Sequence, residues 1–542
     1  MPPIKDTSLS DIHLSKDIAE LEEDVRLVWE PPDIYDEVFK DNVWLIYGRK
    51  GSGKSHLVDY LGKEKSKKEG KDSVIIIRPR EDKLFPSVMS AITAVEDTDE
   101  RIIIENVTSM LEFVVVALLM RRCIDLKGFL CFNTDRETIY NFLVDNGFHE
   151  GSVLHKIVGV LSRITDGYFK IVDNLVQLLA DNPLTKGFPG AKAALWRSLM
   201  QARTSFLICI DDIDEIGFSF SKSDRFFANA LIVLMLRLNL EFAKAKHRLR
   251  VLLTSPSELF FHSSLWGDDW VEAKSRCLRW THHEGIQRIV NKRIGKLLNI
   301  KKTNPRDEND IYSDATEQTW QRLFPQNITN KLNKQELALK YLLRHTFYTP
   351  RQVLDLCDKI LHHQGDKGAT IETARNIKDC EWSNAFQTEV EEYSCNIVSN
   401  FLKLYGKIYD GLDDVCRAFT SKPAVWTRGN LISFVERNEL SITRRETQER
   451  YSGDAIIDKL QQLGFIGLGT KDLLSPSMTT AFNMRFAFLE RLPNSRPWEV
   501  GVISPIFYDS YGILPPDRTV IVPHEKLSLS NQAWQEVAQY RP

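Results

Sequence analysis

The sequence predicts an α/β fold: a parallel sheet covered by helices, with a helical region and a small α+β domain behind it. Three observations predict it. Four short apolar runs, at 43–47, 73–79, 206–210 and 249–255, lack polar alternation, so each should be buried on both faces. Segments with helical spacing separate these runs. After Trp280 the strand signal fades.

In chain order, residues 1–40 are polar and mixed, and "VWLIY" (43–47) is the first strand. Residues 56–63 form a helix, and "KEKSKKEGKDS" (63–73) is a solvated charged turn. "SVIIIRP" (73–79) is the second strand. From about 84 to 203 the pattern is helical, with "TSMLEFVVVALLMRRCI", "GSVLHKIVGVLSRI" and, after the break "NPLTKGFPG", "AKAALWRSLMQA". "TSFLICIDDIDE" (204–215) is a strand ending in acid. "RFFANALIVLMLRLNLEFAKAK" is a long helix, and "LRVLLTS" (249–255) is the fourth strand. Residues 281–405 read as helical, interrupted by a surface loop, "NPRDENDIYSD" (304–314). From 408 to 515 helices alternate with short strands. There "AIIDKLQQLGFIGL" runs from helix to strand and "FNMRFAFLE" pairs with it, which suggests a winged-helix-like domain. The expected division is 1–300, carrying a helical insertion at about 84–203, then 301–405, then 406–542.

Composition is ordinary for a globular chain of 542 residues, 43% hydrophobic and 27% charged, so a sizeable core is available. The net charge of −3 argues against a protein coated in nucleic acid by bulk charge, while leaving room for a local basic groove. Eight cysteines without a C-x-x-C pair suit reduced thiols. The N-terminus has no apolar export core, and "FVVVALLM" (113–120) is too short to span a bilayer and reads as a buried helix. A cytoplasmic protein with no membrane partner is expected. The adjacent pairs His282–His283 and His362–His363 lack the i, i+3 or i, i+4 spacing that puts two ligands on one helix face.

The informative stretch is "GRKGSGKS", Gly48 to Ser55, which fits G-x-x-x-x-G-K-[ST] between a buried strand and a helix. Glycines at 48, 51 and 53 let backbone N–H groups turn onto phosphate oxygens. The helix that follows adds its positive N-terminus. The expected nucleotide contacts are Gly48, Lys50, Gly51, Ser52, Gly53, Lys54, Ser55 and His56. Lys54 reaches the β- and γ-phosphates and Ser55 supplies an oxygen to Mg²⁺, so ATP and Mg²⁺ are the expected cofactors. Acid comes from "FLICIDDIDE", at the carboxyl end of a buried strand, where α/β sheets place ligand groups. Asp211 is expected to hold Mg²⁺ through water and Asp212 to orient or deprotonate the attacking water, with Asp214 and Glu215 in reserve. The alternative is an acidic turn capping the next helix.

The order of phosphate loop, "DDIDE" strand and "LLTS" strand resembles the AAA+/STAND division of P-loop ATPases. The resemblance implies a γ-phosphate-sensing side chain at Thr254, with Ser255 second; the alternative is a plain Ser/Thr pair ending a strand. "LRWTHHEGIQRIVNKRI" (278–294) is similar to the helix that opens the lid in origin-initiator and STAND ATPases, which makes 301–405 a helical lid. "YTPRQVLDLCDKIL" (348–361) looks like the lid helix with a sensor arginine, implying a γ-phosphate contact for Arg351, against a solvated arginine at a helix start. Arg276, Arg279 or Arg293 would stabilise the γ-phosphate, the first two in trans from another subunit. These motifs and the C-terminal sequence look closest to bacterial P-loop ATPases suspected in anti-phage defence. Two departures stand out. "TSPSE" lacks the arginine that many relatives carry after this strand, and Lys54 and Asp211 are 157 positions apart, which the helical insertion accounts for.

Two functions are expected on these grounds. The first is an ATP-hydrolysing switch or sensor whose nucleotide state controls a homo-oligomer or a partner protein. The second is a DNA-associated AAA+ ATPase of replication, partition or transposition, binding DNA through the C-terminal domain. Residues 391–542 carry 17 Lys+Arg and 18 Asp+Glu, which favours a protein-contact or autoinhibitory role there over DNA binding. Arg444 and Arg445 are the best basic spot, with a solvated charged segment as the alternative.

Overall fold

The computed structural model describes residues 6–15, 29–40, 43–69, 74–78, 100–125, 133–145, 187–201, 206–211, 213, 222–243, 249–262, 265, 269–298, 317–472, 479–488 and 497–541. They form two compact units. One comprises 33–50 and 54–278; the other comprises 1–32, 51–53 and 279–542.

The first unit is built on a five-stranded, all-parallel sheet in the order β2-β3-β4-β1-β5, consistent with a Rossmann-like or P-loop α/β core. Its strands are β1 (Leu45–Gly48), β2 (Val74–Ile77), β3 (Phe206–Ile210), β4 (Leu249–Pro256) and β5 (Ser275–Cys277). Every residue of β1 and β3 is buried, as strands flanked on both sides and covered on both faces require. The four apolar runs thus become strands. The fifth strand was not expected: "SRC" is three residues long and polar, and it qualifies only because β1 lies beside it. The chain leaves β1 toward β2 on one side and leaves β4 toward β5 on the other. The carboxyl ends of β1 and β4 therefore flank a topological switch point, the place where open α/β sheets bind ligands.

Helix Lys54–Glu69 follows β1 and runs well past the expected end. Of the segment read as a charged turn, residues 63–69 are instead the last turns of this helix, since Lys and Glu are good helix formers, and 70–73 lie outside the described residues. Of the helical insertion, the described residues hold helices Glu100–Asp125, Asn133–Asp145 and Phe188–Gln201. "GSVLHKIVGVLSRI" lies outside the described residues. Phe113, Val116, Ala117 and Met120 are fully buried in the first of these helices, which packs against helix Lys222–Ala243. Arg237 on the latter is bound to Glu105 at 2.8 Å and to Glu112 at 3.3 Å. Both helices are long and apolar enough to cross a membrane, with 72% and 67% of their apolar windows buried inside the fold. Asn239 ties helix Lys222–Ala243 to β4 by exchanging hydrogen bonds with the backbone of Val251, each at 2.9 Å.

The second unit contains helices His283–Leu297, Ala338–Arg344, Pro350–Gly365 and Asp379–Tyr405, and a hairpin of β6 (Asn327–Thr329) and β7 (Gln335–Leu337) within the stretch read as all helical. Thr349 caps helix Pro350–Gly365 by accepting from the Gln352 N–H, and Pro350 sits at its first position, where the missing N–H costs nothing. The N-terminal segment lies across this helix: Leu14 and Ser15 N–H groups donate to Asp358, and His362 bonds the Ile12 carbonyl.

The rest of this unit carries a three-stranded sheet, β11-β10-β8, of β8 (Tyr409–Asp410), β10 (Ser441–Arg444) and β11 (Arg450–Ser452). It also carries a five-stranded antiparallel half-barrel sheet in the order β15-β13-β12-β14-β9. Its strands are β9 (Val425–Thr427), β12 (Ile466–Lys471), β13 (Thr479–Arg485), β14 (Val500–Ile503) and β15 (Leu527–Ser530). The expected pairing of "GFIGLG" with "FNMRFAFLE" is present as β12–β13. The sheet around it is larger than the small hairpin of a winged helix, because β9, β14 and β15 join from positions far apart in the chain.

Candidate phosphate-loop and acidic-strand site

The loop from β1 to helix Lys54–Glu69 has the backbone its motif requires. Gly51 and Gly53 have φ of +83° and +97°, a region that L-residues rarely enter. Lys54 opens the helix and is buried, its ammonium donating to the carbonyls of Gly48 at 3.1 Å and Arg49 at 3.3 Å. A lysine folded back on its own loop this way is close to where phosphate oxygens would replace the carbonyls. Ser52 is buried with a hydroxyl that has no hydrogen-bond partner. Ser55 and His56 are half-buried, and Lys50 is exposed. These features fit a nucleotide phosphate chain: glycines in the required conformation, a buried cation and an orphaned hydroxyl. Ser55 and Asp211 offer the oxygen donors a hard cation such as Mg²⁺ prefers.

At the carboxyl ends of the neighbouring strands the register aligns three polar side chains. Ile77 pairs with Ile210 and Ile210 with Leu253, so Arg78, Asp211 and Thr254 come next in line on β2, β3 and β4. Asp211 is completely buried and accepts a 2.5 Å hydrogen bond from the Thr254 hydroxyl. The Arg78 guanidinium stands 3.7 Å from Asp211 and 2.8 Å from Asp59, five residues beyond Lys54 on the helix. Burial pushes the Asp59 carboxyl up; Arg78 opposes that rise and Asp211 adds to it. Arg78 thus serves the buried Asp211 carboxylate and the half-buried Asp59, charges that would otherwise be costly to withdraw from water.

The sequence reading therefore placed Asp211 and Thr254 in one site, and the fold brings them into direct contact. It missed Arg78 and Asp59. The signal for Arg78 was present, a charged residue at the carboxyl end of an apolar strand, but its partner strand could not be read from order alone. Asp212, Asp214 and Glu215 lie outside the described residues. Ser255 is buried and donates to the Pro256 carbonyl at 3.2 Å. Cys209, on β3 two positions before Asp211, is an inert buried thiol pushed up to about 12 by desolvation.

In the second unit, Gly51, Ser52 and Gly53 are packed by aromatic residues and by the start of helix Pro350–Gly365. The Arg351 N–H faces the Gly51 carbonyl at 3.4 Å, and a Cβ on Gly51 would stand 2.9 Å from the Arg351 Cβ. The backbone and side-chain stem of Arg351 thus lie beside the loop, while the residue stands exposed at the start of its helix, as the alternative of a solvated arginine also has it. Trp280 donates its indole N–H to the Ser52 carbonyl at 2.8 Å, and Trp29 packs on Gly53, where an added Cβ would meet its Nε1 at 3.1 Å. Neither tryptophan was expected at the site. Of the other arginines considered, Arg276 is bound to Glu37 at 2.6 Å, and Arg293 is buried with a 2.7 Å bond to the Leu14 carbonyl. Arg279 is half-buried.

The histidine pairs make separate protein contacts. His362 bonds the Ile12 carbonyl, His363 bonds Glu389 at 2.8 Å, and His283 lies against His524 with ring centroids 5.0 Å apart. Arg445 is paired with Asp410 at 2.6 Å, and Arg444 lies 3.8 Å from Glu446.

No model of a known protein family matches the chain, and a search of curated proteins finds no match.

Proposed function

We propose that this chain is a Mg²⁺-dependent ATP-binding and hydrolysing switch of the AAA+/STAND type, whose nucleotide state controls its assembly or a partner protein. One observation carries the reading: a phosphate-type loop with a buried Lys54 leaves β1, while Asp211 and Thr254 meet at the carboxyl ends of β3 and β4 of the same parallel sheet.

In this reading the loop amides and Lys54 bind and orient the phosphates. A bound Mg²⁺ would neutralise phosphate charge and be held by the Ser55 hydroxyl and, through water, by Asp211. Thr254 holds the Asp211 carboxylate in place, and Arg78 balances its charge. Arg351 senses the γ-phosphate end from beside Gly51. Asp212 orients the attacking water. The switch element of the proposal draws on Arg351, Trp280 and Trp29. All three touch the loop, so loss of a phosphate contact would be felt by the helices that carry or hold them.

The test is steady-state ATP hydrolysis by purified wild type, Lys54→Ala and Asp211→Asn, with and without duplex DNA, alongside the mass in solution. Turnover lost in both variants and linked to oligomer formation supports the switch. Stimulation by DNA moves the assignment to a DNA-associated ATPase. A wild type that binds no nucleotide overturns both.

A further inference from the structure

The contacts to the loop apex are made to its backbone, and two of them fall on consecutive peptide groups. The Ser52 carbonyl accepts from the Trp280 indole at 2.8 Å, and the Gly51 carbonyl faces the Arg351 N–H at 3.4 Å. A trans peptide is planar, with its carbonyl and its N–H pointing in opposite directions. Holding the Ser52 carbonyl therefore aims the Gly53 N–H away from Trp280, and holding the Gly51 carbonyl aims the Ser52 N–H away from Arg351. Glycines turn freely, so without such donors these peptide planes could rotate and the amides would not converge.

Trp280 is itself firmly seated. Its ring lies on Gly285, where a Cβ would meet it at 2.8 Å, so the first turn of helix His283–Leu297 carries a residue small enough to accept the indole. Trp29 meets it edge to face at 6.2 Å and is fixed in turn by Lys292, which donates to the Trp29 carbonyl at 2.8 Å. Glu30 pairs with Lys292 at 2.7 Å and with Arg288 at 2.8 Å on the same helix.

We propose that Trp280 is a positioning residue for the phosphate site: its indole N–H orients the Ser52–Gly53 peptide so that the Gly53 amide faces bound phosphate. The inference rests on the phosphate-loop reading. It does not make Trp280 a base-stacking residue, and that difference is measurable, because an inorganic diphosphate has no base.

The experiment replaces Trp280 in the full chain with benzothienylalanine, an indole isostere that lacks the N–H, and, separately, makes Trp280→Phe. ADP and ATP affinities are measured directly, and pyrophosphate affinity by competition. Loss of one buried hydrogen bond of this kind predicts binding about three- to ten-fold weaker for all three ligands by the same factor, with an unchanged melting temperature for the isostere. Nucleotide affinity unchanged in the isostere would overturn the proposal. So would a loss confined to ADP and ATP with pyrophosphate spared, which would indicate a base contact, or a loss that tracks a lowered melting temperature. A wild type that binds none of the three overturns the phosphate-loop reading and this inference together.

Discussion

The carboxyl-end rim of the parallel sheet, here called the sheet edge, and the loop apex are held by different means. At the sheet edge, buried charges are matched side chain to side chain: Thr254 to Asp211, Arg78 to Asp211 and Asp59. At the apex, Gly51, Ser52 and Gly53 are held by their carbonyls and by the absence of side chains at the glycines. The first arrangement fixes chemical groups, and the second fixes the shape of a backbone. Changes at the sheet edge should therefore act on turnover, and changes at the apex on nucleotide affinity.

Lys54, which follows the apex and opens the next helix, should give the largest effect. Lys54→Ala is expected to weaken ATP binding and lower turnover together, by about a hundred-fold or more, since it removes a buried charge-assisted contact to phosphate. Calorimetric titration and phosphate release measure the two. Asp211→Asn should separate them. Turnover is expected to fall on the order of a hundred-fold while ATP affinity measured without Mg²⁺ stays within about threefold. Equal losses in both quantities would break the comparison.

Smaller effects sharpen it. Arg351→Ala should lower turnover by about ten-fold, and should weaken ATP more than ADP if it contacts the γ-phosphate. Equal weakening of the two nucleotides would leave Arg351 a packing residue of the loop. Thr254→Val removes the donor to a buried carboxylate while keeping the side-chain volume. It is expected to cost about 1–3 kcal/mol in urea unfolding and to raise the Mg²⁺ concentration needed for half-maximal turnover several-fold.

The smallest predicted effect lies just before Arg351 in the chain. Tyr348 adopts φ of +54°, is buried, and is hydrogen-bonded through its hydroxyl to His524. Burial lowers the His524 imidazole from 6.5 to about 4, helped by His283 and Lys340 and opposed by Glu525 and Glu284. The folded state thus keeps His524 neutral where the unfolded chain would protonate it. Its contribution is complete above pH 6.5 and is lost as pH falls toward about 4. After allowance for solvent screening this is on the order of 1 kcal/mol. Thermal unfolding from pH 7 to 4 should show that loss, and His524→Gln should flatten it.

Much of the site was legible because its signals are local. Gly51, Gly53 and Lys54 sit within four positions of one another, and the conformations they need are set by residue type. Asp211 was legible as the first carboxylate after a run too apolar to be anything but a buried strand. The charged stretch at 63–69 misled because local composition cannot tell a charged helix end from a turn. β5 was invisible because three polar residues become a strand only when a neighbour offers unpaired hydrogen-bonding groups.

The sequence alone determined the parallel α/β core, the phosphate-type loop and the acid that ends β3. Each depends on short-range spacing and on which residues tolerate burial or positive φ. Only the tertiary structure decided that Thr254 would bond Asp211, that Arg78 would serve two carboxylates, and that Trp29 and Trp280 would meet at Gly53 and Ser52. Those contacts join residues tens to hundreds of positions apart. Their partners are chosen by strand order and helix packing, which arise from the balance of burial over the whole chain rather than from any one segment.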